Sequence, residues 1–123
     1  MKYLCMGYHD EKLFAAMNET DRATLLEENF AYQNILRKNG HYLDGKALQP
    51  VDTATTLRFD AGKVVVSDGP FTETKEQLGG VMVLEAVDLN HAIQLMSQLP
   101  CMRVGGSLEI RPINENCYQG RKP

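Results

Sequence analysis

The residues of this chain best suited to chemistry stand at two places. Asp68 lies directly before Gly69-Pro70, at the end of an apolar run. A carboxylate there can serve as a ligand acceptor or general base at the mouth of a cleft, or it can hold the turn by bonding backbone N–H groups. Glu109 and Arg111 are two positions apart in Ser107–Ile113. In an extended strand they share one face, opposite Leu108 and Ile110. They can pair with each other, or Arg111 can grip a carboxylate with its planar fork. Phe71 and His41 complete the set of expected ligand-binding residues, as an apolar wall and a polar group at the start of a strand. Glu73, Lys75 and Glu76 read as a solvated charged turn, or Glu73 or Lys75 folds over a ligand. Gly79-Gly80 offers backbone N–H groups to an anion. Neither GxGxxG nor GxxxxGK[ST] surrounds it, so no phosphate loop is indicated.

Other chemistries fit less well. His9, His41 and His91 lack metal-ligand spacing, and no metal site is expected. Cys5, Cys101 and Cys117 are odd in number and match no zinc pattern. They read as reduced, structural thiols, which fits a cytoplasmic setting. Cys5 has no basic neighbour in sequence. Ser67 and Ser107 fall in strands rather than in a nucleophile elbow. No cofactor motif is present, and no cofactor is expected.

The elements that must position these groups are legible from pattern. Lys2–Tyr8 is apolar on both faces and reads as a central strand. His9–Lys12 reads as polar loop. Asn18 begins a helix with Asp21 three residues on, and Gly40 ends it. His41–Leu43 reads as a short strand. Thr55–Phe59 and Lys63–Ser67 form a hairpin around Asp60-Ala61-Gly62. Asp68-Gly69-Pro70 is a turn, and Thr72–Leu78 has room for one helical turn. Val81–Val87 is the strongest strand, with Gly79-Gly80 at its entrance. Asp88 caps a second helix whose Leu89, Ala92, Ile93, Met96 and Leu99 recur at helical spacing. Ser107–Ile113 is the last strand.

That order contains two β-α-β units, the split arrangement of a ferredoxin-like antiparallel sheet with two helices on one face. The fold class is therefore α+β. The opposite sheet face also carries apolar side chains. A second copy packed face to face is the simplest cover, so a homodimer is expected. Residues 1–113 make one domain and 114–123 a polar tail.

Composition limits the function classes. The chain has 123 residues, 43% hydrophobic and 24% charged, with net charge −3. That suits one globular domain. It argues against nucleic acid, which requires a basic face. No basic amphipathic helix, long apolar run or signal peptide points to a membrane.

A family resemblance sharpens this. The segment Val66–Gly80 (VSDGPFTETKEQLGG) resembles the motif of the DGPF domain family, within the YCII-related superfamily. MKYLCMGY is similar to that family's opening strand, Gly45–Pro50 to its G-x-x-L-x-P loop, and Leu108–Pro112 to its closing E-x-R-P strand. The resemblance covers about residues 1–113. It implies a ferredoxin-like fold pairing into a dimeric α+β barrel. For activity it implies less: some relatives suggest a regulatory accessory acting with an extracytoplasmic-function sigma factor. The polar residues on an otherwise apolar sheet face point separately to a small-molecule site in the dimer cleft, and analogy with other dimeric α+β barrels adds cofactor-free proton-transfer chemistry as a further expectation. Some relatives are proposed to use a His–Asp pair with the His in the first helix. Here the helix after Asn18 has no His, and Asn29 stands near that place.

Overall fold

The computed structural model describes residues 1–116. Four strands form the main antiparallel sheet: β1 (Lys2–His9), β2 (Tyr42–Ala47), β5 (Gln77–Glu85) and β6 (Ser107–Pro112). Their spatial order is β2-β5-β1-β6. This is the ferredoxin-like order expected from the two split β-α-β units. The hairpin of β3 (Thr55–Asp60) and β4 (Lys63–Asp68) makes a separate two-stranded sheet.

Helix α2 (Glu19–Lys38) has firm ends. The Asn18 side chain accepts from the Asp21 N–H at 2.8 Å and its amide donates to the Asp21 carboxylate at 3.0 Å. At the other end Gly40 has φ 81°, His41 N–H reaches the Leu36 carbonyl at 2.8 Å, and Gly40 N–H reaches Arg37 at 3.1 Å. These two bonds satisfy carbonyls that would otherwise be left open. Helix α3 (Leu89–Met96) is capped by the Asp88 side chain on His91 N–H.

Tyr3, Cys5, Met82 and Leu84 point to one side of the sheet and are buried against Leu36 of α2 and Ala92 and Met96 of α3. The Tyr32 hydroxyl ties the helices together by donating to the Leu95 carbonyl at 2.6 Å. Leu108 and Ile110 join the same core.

Five expectations need correction. The polar run after His9 is not loop: Glu11–Ala16 forms a short helix, α1, capped by Asp10 on Lys12 N–H. Thr72–Leu78 forms no helical turn. The segment 69–76 is an irregular strap, and β5 already begins at Gln77. Gly79-Gly80 therefore lies inside the strand. The reason is a bulge: Gly7 faces Gly80 but Tyr8 faces Leu78, which leaves Gly79 extra. A Cβ on Gly79 would fall 2.2 Å from the His9 ring, and one on Gly80 would fall 3.2 Å from the Lys46 carbonyl oxygen. The strand ends at Glu85 rather than Val87, and β2 runs on through Asp44-Gly45 to Ala47 rather than ending at Leu43.

Candidate active groove

The register defines what the uncovered sheet face presents. Two rows cross it from edge to edge. One is Asp44, Val83, Leu4 and Arg111; the other is Lys46, Val81, Met6 and Glu109. Each row has two apolar residues in the middle and a charge at each end. The Glu109 carboxylate accepts from the Arg111 guanidinium at 2.6 Å, and Lys46 lies 3.4 Å from Asp44. The Gly45 N–H and the Lys46 charge hold the Asp44 carboxyl below its ordinary range. Tyr8 and Ser107 follow at the next register position, where the face ends.

At that end opens a groove of about 1410 Å³. Tyr8 and Glu109 form part of its floor, Leu13 of α1 and Leu57 of β3 part of its walls, and Phe71 and Leu78 contribute apolar surface. The strap beside it is tied at several points. The Glu76 carboxylate accepts from the Ser107 hydroxyl at 3.0 and 3.1 Å. Gln77 donates to the Thr74 carbonyl at 2.8 Å and accepts from Glu11 N–H at 3.2 Å. The Glu11 carboxylate in turn accepts from Val51 N–H at 3.0 Å. Helix α1 thus joins the strap to the loop after Pro50.

The expected site residues divide. Glu109 and Phe71 line the groove. Phe71 is 73% exposed, so it is buried neither in the core nor elsewhere in this chain. Arg111 shares the face but lies one register step farther from the groove, opposite Leu4. Asp68 ends β4 opposite Thr55 and is exposed, away from the groove lining. The turn there is held instead by Gly69, whose N–H donates to the Ala54 carbonyl at 2.7 Å and whose carbonyl accepts from the Thr56 hydroxyl at 2.7 Å. His41 lies at the far end of the sheet. Its Nδ1 is 3.0 Å from the Glu85 carbonyl, and its ring meets the His91 ring edge-on at 5.0 Å.

Tyr8, Glu76 and Ser107 were not singled out as site residues from the sequence. Alternation along Lys2–Tyr8 puts Tyr8 on the same side as Leu4 and Met6, which is the signal that could have found it. Cysteine chemistry is disfavoured where it can be described. Burial pushes the Cys5 thiol up to about 11 and raises Cys101 as well, so neither is a thiolate at neutral pH. Cys117 and the rest of the tail beyond residue 116 lie outside the described residues. Among the described residues no three His, Cys, Asp or Glu side chains gather in a metal-binding cluster. No helix there is long and apolar enough to cross a membrane.

A four-stranded β2-β5-β1-β6 sheet with one helix-covered face and a groove at the end of the other defines a ferredoxin-like α+β protein. A sequence model of the YCII-related domain matches residues 1–116, and the chain belongs to that family. An uncharacterised protein of Rhizobium meliloti (strain 1021) is 32% identical over 114 residues, 92% of each chain. Among solved structures, 5-chloro-2-hydroxyhydroquinone dehydrochlorinase (TftG) from Burkholderia phenoliruptrix AC1100, in complex with 2,5-dihydroxybenzoquinone, superposes with TM-score 0.59. The two are 14% identical, and the match covers 99% of this chain and 100% of that one. That likeness is one of fold.

Proposed function

We propose that this protein binds a small molecule in the groove at the end of its uncovered sheet face, as a homodimer whose second copy narrows that groove. The observation carrying this reading is that Glu109 and Tyr8 share the groove with apolar Leu13, Leu57, Phe71 and Leu78, while Asp10, Lys75 and Glu76 add charge to its lining. A few convergent polar groups in an apolar recess are the usual makeup of a ligand site. The recess exceeds the roughly 300–1,000 Å³ of typical small-molecule pockets, which supports a site completed by another surface.

A hydroxylated ring of the size bound by the dehydrochlorinase suits this lining. Phe71 and Leu57 supply apolar contact, and the Tyr8 hydroxyl and Glu109 carboxylate address ring hydroxyls. If chemistry follows binding, Glu109 is the base: it accepts a proton from a ring hydroxyl or from the carbon beside a carbonyl, without a cofactor.

A thermal-shift screen of phenols, hydroxyquinones and aromatic acids tests the reading. A ligand at about 100 times its Kd should stabilise the fold by roughly 2.7 kcal/mol. Glu109→Gln and Phe71→Ala should each diminish that shift. A panel that leaves the melting temperature unmoved, or a ligand whose shift is the same in both variants, would sink it.

A further inference from the structure

Lys75 is the charged group of the groove that ring binding by Tyr8, Glu109 and Phe71 leaves without a role. Three acids line the groove with it, and each already has a partner within the chain. The Asp10 carboxylate accepts from Lys12 N–H at 2.9 Å as the cap of α1. The Glu76 carboxylate accepts from the Ser107 hydroxyl. The Glu109 carboxylate accepts from the Arg111 guanidinium at 2.6 Å. Among the described residues, no carboxylate pairs with the Lys75 ammonium. Yet the backbone that carries Lys75 is fixed on both sides. The Gln77 amide donates to the Thr74 carbonyl at 2.8 Å, and the Thr74 hydroxyl donates to the Glu76 carbonyl. The Ser107 hydroxyl then ties Glu76 to β6. A cation with three donors on a flexible stem thus stands on an anchored base at the groove, with its donors open.

We propose that Lys75 determines the specificity of the groove, and that it selects a ring bearing one negatively charged oxygen, either a carboxylate or an ionised hydroxyl. The inference deepens the ligand-site reading and rests on it. An anionic oxygen gains a charge-assisted hydrogen bond from a donor that is not already engaged. Lys75 is that donor among the charged side chains of the lining. Its anchored base lowers the ordering that binding must impose. Phe71 and Leu57 lie in the same groove, so a ring with an anionic substituent can meet apolar surface and cation together. The acids set the number of charges. Arg111 offsets Glu109, but Asp10 and Glu76 have neutral donors as partners. Their charge stays in the lining and repels a second anionic group. A monoanionic ring is therefore favoured over a dicarboxylate or a phosphate ester.

Calorimetric titration of the full chain with matched rings provides the test. The probes are para-hydroxybenzoate beside para-hydroxybenzyl alcohol, and the same carboxylate and hydroxymethyl forms of every ring that responds in the thermal-shift screen. The unaltered protein should bind each carboxylate more tightly than its alcohol. Lys75→Gln should weaken the carboxylate by about 10-fold or more, the scale of one charged hydrogen bond, and leave the alcohol nearly unchanged. Lys75→Arg should keep the preference, and Lys75→Glu should reverse it. Added salt should weaken the carboxylate more in the unaltered protein than in Lys75→Gln. Lys75 is exposed, so all three variants should keep the circular dichroism and melting temperature of the unaltered protein. Alcohols that bind as tightly as carboxylates overturn the inference, and so does a preference that survives in Lys75→Gln. In either case the groove itself still stands. A ring dicarboxylate that binds more tightly than its monoacid overturns the single-charge selection. Silence from both forms of every ring sinks the groove reading and this inference together.

Discussion

The two faces of the main sheet are built from the same kinds of residue and end in opposite conditions. On the helix side, Tyr3, Cys5, Met82 and Leu84 are at most 7% exposed. On the other side, Leu4, Met6, Val81 and Val83 are only half-buried, and the hairpin leaves Phe59 77% exposed. The first condition is a finished core, whose apolar groups have left water at roughly 25 cal/mol per Å². The second leaves apolar surface within reach of water, the condition that interaction surfaces share. The stability of the chain should therefore reside in one face and its function in the other.

Substitution of matched residues on the two sides is the strongest way to break this division. Leu84 is 0% exposed in the central strand, so Leu84→Ala should cost about 2–5 kcal/mol, the range for truncating a buried leucine. Val66→Ala on the hairpin should change monomer stability by no more than about 0.5 kcal/mol, as for a surface change. Chemical denaturation of each variant, at concentrations too low for association, measures the contrast. Equal losses in the two variants would mean that the hairpin stripe is packed within its own chain.

A smaller effect tests the seam between the faces. Gly79 is the extra residue of the β5 bulge, and the His9 ring occupies the space a side chain would need. Gly79→Ala should push that ring aside at a cost of about 1–3 kcal/mol, as overpacking does. Pairing Gly79→Ala with His9→Ala should recover much of the loss, because the two substitutions share one space. Denaturation curves of the two singles and the double close that cycle.

The legibility of the sequence follows the same division. Elements with strong local grammar could be read directly. Asn18 and Gly40 mark the ends of α2, Asp88 marks the start of α3, and Asp60-Ala61-Gly62 marks the hairpin. Helix α1 was hidden because six residues show no complete hydrophobic period, and none of them is buried. The start of β5 was hidden because Gly79-Gly80 resembles a turn until its partners are known. Of the expected site residues only Glu109 and Phe71 reach the groove lining, because the residues of a groove meet through register, not through spacing. Glu109 could be placed on its face by alternation, and Phe71 by its motif. Asp68 and His41 looked equally polar and exposed in sequence. Asp68 is exposed opposite the groove-lining Thr55 without itself lining the groove, and His41 lies beside Glu85 at the far end of β5.

The smallest effect concerns a single strand that belongs to both faces. In β6, Ile110 packs against the helix-side core while Arg111 points the other way and pairs with Glu109. Their Arg111 and Glu109 side chains are 71% and 43% exposed. An ion pair so open to water contributes about 0–1 kcal/mol, so Arg111→Ala should leave the monomer's melting temperature nearly unchanged. Two readouts should move nonetheless. The proposed dimer should weaken, because the uncovered sheet face has lost one of its charges. Its remaining affinity should also depend less on salt, since screening acts on the charges that are still paired. Sedimentation at low and high ionic strength separates these effects. If Arg111→Ala lowers stability as Ile110→Ala does, the two sides of β6 are equally built into the monomer, and the division between a stabilising face and an interacting face does not hold.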